Sequence, residues 1–94
     1  MITDEQIKAA ILLKLYKRGN WGGSHTAFDN LKKGFEAREL GKGGLKRIDH
    51  AGRELIREGL ILAKPTHYGL QVSLNPIESQ AIRTIITRFF PEFA

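Results

Sequence analysis

The sequence of 94 residues contains no cysteine, which excludes disulfides and thiolate metal sites. It also lacks long apolar runs, since the longest, AAILL and LILA, are far shorter than the roughly 20 residues that cross a bilayer. The segment from Met1 to Asp4 has neither the basic start nor the apolar core of a secretory signal. These absences predict a cytoplasmic protein with no membrane association.

The signatures of an enzyme or a metalloprotein are missing as well. The three histidines, His25, His50 and His67, have no histidine four residues away and no acid cluster, so neither a zinc site nor an acid–base pair is indicated. The G-x-S-x-G pattern of an activated serine is absent. GKGG at 41–44 is not a P-loop, because it lacks the required spacing and the preceding strand. It could instead be a flexible hinge, or a phosphate seat in which backbone amides at a helix start bind a phosphate. We therefore expect no catalysis, metal, cofactor or small-molecule ligand.

Positive charge is what the chain has in excess. Fifteen Lys and Arg residues against ten Asp and Glu give a formal net charge of +5. Such a balance favours a nucleic acid or another anionic surface as the partner. The apolar fraction of 41% and the charged fraction of 27% are ordinary for a globular protein, and this length supports one core. The sequence thus predicts one folded, basic domain.

The segment 43–60, GGLKRIDHAGRELIREGL, is predicted to form a glycine turn and then an amphipathic helix. One side of this helix is apolar and is expected to face the core; it carries Leu45, Ile48, Gly52, Leu55 and Ile56. The opposite side collects a row of cations with no acid among them: Lys46, His50, Arg53 and Arg57. Arg47 and Glu54 lie on one flank. A plain solvated face is the alternative, but acids at the four-residue offset would normally neutralise such a face.

Local signals also predict the helices before this segment. Thr3 and Gln6 have the spacing of a capping box, so a helix should run from 3 to 18 and end at Gly19. Thr26 is predicted to begin a second, short helix. Trp21, in the break between them, is predicted to cover one end of the core rather than to stack on a base.

A hairpin is predicted after the basic helix. Residues 60–64 and 70–74 should be its strands, with the loop PTHYG between them. In the second strand the alternation predicts an inward Val72 and an outward Ser73. The loop would display hydroxyl, imidazole and ammonium groups that can reach a phosphate backbone: Lys64, Thr66, His67 and Tyr68.

The last helix, from Asn75 to about Phe90, has an apolar arc of about 220°, wider than the stripe of about 100° that one core needs. Left in water, this arc would form a patch typical of an interface, so a homodimer joined through the C-terminal helix is predicted. The proposed contact residues are Ile82, Ile86, Phe89 and Phe90. The alternative is that the first helix folds back and buries the whole arc within one chain.

The order helix, short helix, basic helix, strand, loop, strand and last helix resembles a winged helix-turn-helix domain. The segments ELIREGLIL and KPTHYGLQVSLNP resemble the end of its recognition helix and its wing. The chain also resembles small archaeal proteins that consist of little more than this domain. The resemblance implies an α+β, mainly α fold with three helices, a two- or three-stranded β-wing and a C-terminal helix. Residues 1–74 would form the winged domain and 75–94 the dimerisation helix.

The resemblance also implies a function, the binding of double-stranded DNA by a small transcriptional regulator. The helix 43–58 would enter the major groove and the wing 64–69 would lie on the backbone. The DNA-binding residues would be Lys42, Lys46, Arg47, His50, Arg53, Arg57, Lys64, Thr66, His67 and Tyr68. The alternative is an adaptor that binds RNA or a protein partner, because winged-helix folds serve in both ways.

Overall fold

Helices and strands are mixed along the chain in the computed structural model, which describes residues 2–35, 40 and 43–93. In chain order the elements are α1 (Asp4–Arg18), β1 (Thr26–Ala27), α2 (Phe28–Lys33), α3 (Gly44–Arg57), β2 (Ile61–Thr66), β3 (Gly69–Leu74) and α4 (Ser79–Phe89). Two 3₁₀ turns, Pro76–Glu78 and Pro91–Phe93, flank α4. The fold is therefore α+β and mainly helical, as predicted.

The predicted ends of α1 are confirmed. The Thr3 hydroxyl accepts a hydrogen bond from the Gln6 amide, while the Gln6 side chain accepts one from the Thr3 amide. Gly19 ends the helix with a φ of 70°, a left-handed conformation that suits glycine. Between these caps α1 packs against both α3 and α4, so its broad apolar surface serves two neighbours.

The sheet has three antiparallel strands in the order β1-β3-β2. Thr26 pairs with Val72, so the prediction that Thr26 begins the second helix is wrong. That helix begins at Phe28, and its first turn has no side-chain cap because the N-cap residue is Ala27, which has no hydrogen-bonding side chain. The hairpin prediction is confirmed, but β2 extends through Thr66 and leaves only His67 and Tyr68 in the turn.

Two side chains near the sheet, those of Trp21 and Ser73, are more informative about burial than the rest. Trp21 is partly buried, packs against the core and meets the Tyr16 ring edge-on at 6.0 Å, which confirms that it covers one end of the core. Ser73 is fully buried, so the prediction of a solvated Ser73 is wrong. Its hydroxyl donates to the Gly22 carbonyl at 2.7 Å, which supplies the partner that a buried polar group needs.

One hydrophobic core joins all the helices and the sheet. Its largest fully buried side chains are Ile7, Ile11, Leu12, Leu15, Leu31, Ile48, Leu55, Ile61, Val72, Leu74 and Ile82. Leu45 was predicted to belong to this core, but 64% of its surface is exposed. Leu40, which is 2% exposed, occupies the core beside the start of α3 instead.

The C-terminal helix differs from the prediction in how its apolar arc is covered. Ile82 and Ile86 are 0% and 2% exposed within the single chain, because α4 packs against α1. The premise that these two side chains stay in water without a partner is therefore wrong. The alternative, in which α1 buries the whole arc, is met only in part, because Ile77 is 88% exposed and Ala81 is exposed. Phe89 and Phe90 are half-buried, and Phe90 packs against the same core. Whether two chains associate stays a prediction, which sedimentation would test.

Candidate nucleic-acid interface

The inner side of α3 is anchored by close packing. Ile48 and Leu55 are fully buried. Gly52 faces the Phe28 ring of α2 so closely that a Cβ at this position would lie 2.5 Å from the ring carbon Cζ. Because real Cβ contacts are never that short, only glycine lets α2 and α3 approach in this way. The packing fixes which side of α3 faces outward.

Arg47 belongs to this anchored part of α3, although it was predicted as a base contact. Its guanidinium donates to the Leu40 carbonyl at 2.8 Å, to the Ile2 carbonyl at 2.7 Å and to the Asp4 carboxylate at 3.0 Å. Only 24% of its side chain is exposed. The structure therefore directs Arg47 toward the start of α1, and we leave it out of the candidate interface.

The outer side of α3 carries the predicted cations on its surface: Lys46, His50, Arg53 and Arg57 are all exposed. The Arg53 side chain makes no hydrogen bond or ion pair with any other residue in the described ranges. Arg57, in contrast, pairs with Glu54, which also lies 3.7 Å from the imidazole of His50. The expectation of a row without acids is therefore wrong at its C-terminal end. Arg53 is the arginine of this face whose donors are available to a ligand.

A second ion-pair cluster connects α2 to the flank of α3. The ammonium of Lys32 lies 3.0 Å from Asp49 and 3.2 Å from Asp29. The hydrogen bond to Asp49 raises the pKa of Lys32, with a further contribution from Asp29, although burial acts in the opposite direction. From the sequence, only the three-residue spacing of Asp29 and Lys32 could have indicated this ion pair, because Asp49 lies on another helix. The cluster thus pairs the Asp49 carboxylate, on the flank of α3, with a cation of α2.

The outer part of the hairpin is exposed on both faces, while its base contributes to the core. Every residue from 62 to 69 is exposed, including Tyr68 at 92% in the turn. The Thr66 hydroxyl donates to the Gly69 carbonyl at 2.7 Å and accepts from the Tyr68 amide at 3.2 Å, so the tip is held by its own side chain. Of the predicted wing residues, Lys64 and Thr66 lie on β2, and His67 and Tyr68 lie in the turn. The structure thus brings Lys64, Thr66, His67 and Tyr68 together on one projecting element.

Part of the predicted site lies outside the described residues. This part comprises Lys42 and the first half of GKGG, so the phosphate seat and the hinge both stay predictions. Gly43 adopts a φ of 74° immediately before α3. Within the described ranges, no three His, Asp or Glu side chains come close enough together to hold a metal ion.

Comparison with known proteins does not extend these observations. Neither a protein-family model, nor a curated protein, nor a solved structure matches the chain. In the part of the chain that the structure describes, no helix has the length and hydrophobicity needed to cross a membrane. The functional interpretation therefore depends on the geometry of α3 and the hairpin.

Proposed function

We propose that the chain binds double-stranded DNA as a winged helix-turn-helix protein and acts as a small transcriptional regulator. In this arrangement α3 is the recognition helix and the β2–β3 hairpin is the wing. The order of elements supports the proposal. So does the sheet, in which β1, from between the first two helices, pairs with the far strand of the hairpin.

The observation that carries the proposal is a cationic helix face together with a hairpin whose outer part, residues 62–69, covers no part of the core. A strand at the edge of a fold normally buries one face against the core. Here residues 62–69 are exposed throughout, while α3 presents Lys46, His50 and Arg53 on its outer side. A basic helix and a projecting two-stranded ribbon are both elements that fit the contours of a DNA duplex.

The geometry divides the work between the two elements. Arg53 has a free guanidinium on a rigidly packed helix, which is the arrangement for bidentate contact with the major-groove edge of a guanine. Arg57 is held by Glu54 and is suited to a phosphate rather than to a base. Lys64, His67 and Tyr68 would contact the adjacent backbone, which positions the protein without reading sequence directly.

Titration with nucleic acids at two salt concentrations tests the proposal. The ligands are duplex DNA, duplex RNA and single-stranded RNA of equal length, and the control variant is Arg83→Ala, which removes an exposed arginine from α4. We expect preferential binding to duplex DNA, with affinity falling steeply as salt rises, and no change in Arg83→Ala. Preference for either RNA would favour the adaptor alternative, and failure to bind any of the three would contradict the proposal.

A further inference from the structure

Leu45 is a large apolar side chain on the outer surface of the first turn of α3. It is 64% exposed, and no other large hydrophobic residue of α3, all of which is described, is comparably exposed. A single exposed leucine is ordinary on a protein surface. The position of Leu45 is unusual. Leu45 directly precedes Lys46 and lies about two turns before Arg53, on a helix whose other exposed side chains are polar.

The packing behind Leu45 explains why it is exposed. Gly44 lies against Leu40, and a Cβ at Gly44 would be 2.6 Å from the Cβ of Leu40. The start of α3 is therefore pressed onto Leu40, which already fills the core at this point. Leu45 cannot take that place without displacing Leu40. Its exposure follows from the packing of α3.

We propose that Leu45 reads the C5-methyl group of thymine in the major groove. This inference rests on the proposed function, in which the first turn of the recognition helix reaches the base edges. A leucine has no hydrogen-bonding group, so among base edges it can distinguish only the methyl group that thymine carries. Asp49, one turn further along, is paired with Lys32 of α2, so its charge is partly neutralised on the flank that also carries Leu45.

Replacing thymine with uracil tests this reading, because uracil differs only by the missing methyl group. Duplexes selected by the wild type from a random pool are resynthesised with uracil at one thymine position at a time. Binding is measured for the wild type, for Leu45→Ala and for Ile77→Ala. The last removes an exposed apolar side chain from the 3₁₀ turn Pro76–Glu78, outside the proposed interface, and serves as the matched control. Circular dichroism verifies that all three proteins are folded.

For the wild type and for Ile77→Ala, we expect about fourfold weaker binding at one or two uracil positions, the size expected for one methyl group leaving an apolar contact. Leu45→Ala should bind the thymine duplex about fourfold more weakly and lose nothing further with uracil. Equal uracil sensitivity in Leu45→Ala and the wild type would overturn the inference, as would a wild type that ignores uracil at every position. A wild type that binds no duplex DNA would instead contradict the proposed function itself.

Discussion

Arg47 and Arg53 lie on the same helix and have opposite surroundings. Arg47 donates hydrogen bonds to two main-chain carbonyls and a carboxylate, and these tie α3 to the start of α1. Arg53 is exposed and has no partner among the described residues. The two positions differ by about 120° around a regular helix. Arg47 therefore uses its charge to hold α3 in place. Arg53 has its charge on the surface, where a ligand can reach it.

The same division separates the two sides of the whole helix. The inner side is fixed by buried apolar groups and by the contact of Gly52 with Phe28. The outer side contributes little to folding because its side chains are in water. Changes on the inner side should therefore alter stability, and changes on the outer side should alter binding. The following variants test this separation in order of expected effect.

The largest effect is expected from Leu55→Ala on the inner side. Leu55 is fully buried, so truncation removes apolar contacts and leaves a cavity. We expect the free energy of unfolding to fall by about 2–5 kcal/mol, which urea denaturation would measure. A loss within about 0.5 kcal/mol, the range of ordinary surface changes, would show that α3 is not anchored through this face.

Arg47→Ala should also act on stability. It removes charged hydrogen bonds to the Ile2 and Leu40 carbonyls and leaves Asp4 without its partner. We expect a loss of about 1.5–3 kcal/mol in the free energy of unfolding, the usual size for hydrogen bonds to a charged group. Urea denaturation measures it. If DNA affinity fell while stability stayed constant, Arg47 would belong to the displayed group instead.

Arg53→Ala is the matched substitution on the outer side. We expect unchanged stability and a loss of about 1–3 kcal/mol in DNA binding, with relaxed preference at one base position. Fluorescence anisotropy with the selected duplex and its single-base variants measures both quantities, and Arg83→Ala is the control. An equal loss on every sequence would reassign Arg53 to a phosphate contact, and no loss would remove α3 from the interface.

Lys64→Ala on the hairpin should have a smaller and less selective effect. A backbone contact carries no base information directly, so affinity should fall alike for all duplexes. The slope of log affinity against log salt should become shallower by about one unit. His67→Ala should also weaken all duplexes equally. A change in the preferred sequence of either variant would mean that the hairpin reads bases.

The smallest expected effect is the pH dependence that Lys32 contributes. Its raised pKa means that the charged form is favoured in the folded state, so its contribution to stability is complete below the usual value of 10.5. The contribution is lost as pH rises through the higher folded pKa. The stability difference between the wild type and Lys32→Met should therefore shrink above that value in urea denaturation. A difference that grew there would contradict the role of the Asp49 pair.

Local signals in the sequence predicted the local parts of the fold well. The capping box at Thr3 and the glycine at the end of α1 are satisfied within one turn of chain, so spacing alone reveals them. The basic side of α3 and the hairpin were predicted for the same reason. Lys46, Arg53 and the residues of the turn are where their periodicity places them.

Most of the errors concern contacts that the pattern within one element does not reveal, although the missed pairing of Glu54 with Arg57 is an error within α3 itself. Periodicity placed Leu45 in the core, and only the close approach of Gly44 to Leu40 shows that Leu40 fills this part of the core instead. Arg47 was predicted to contact DNA because its partner, the carbonyl of Ile2, lies 45 residues earlier in the chain and no local pattern reveals this contact. Ile82 and Ile86 were assigned to a partner because nothing in their own helix says that α1 covers them.

The most direct test of the proposed interface is a map of amide chemical shifts as duplex DNA is added to ¹⁵N-labelled protein. If α3 and the hairpin form the binding surface, the largest shifts should fall in residues 45–57 and 62–69, with little change along α4. In Arg53→Ala, the amide shifts of α3 should change only at DNA concentrations higher than those needed for the wild type. Shifts centred on α4, or the absence of shifts at saturating DNA, would contradict the account.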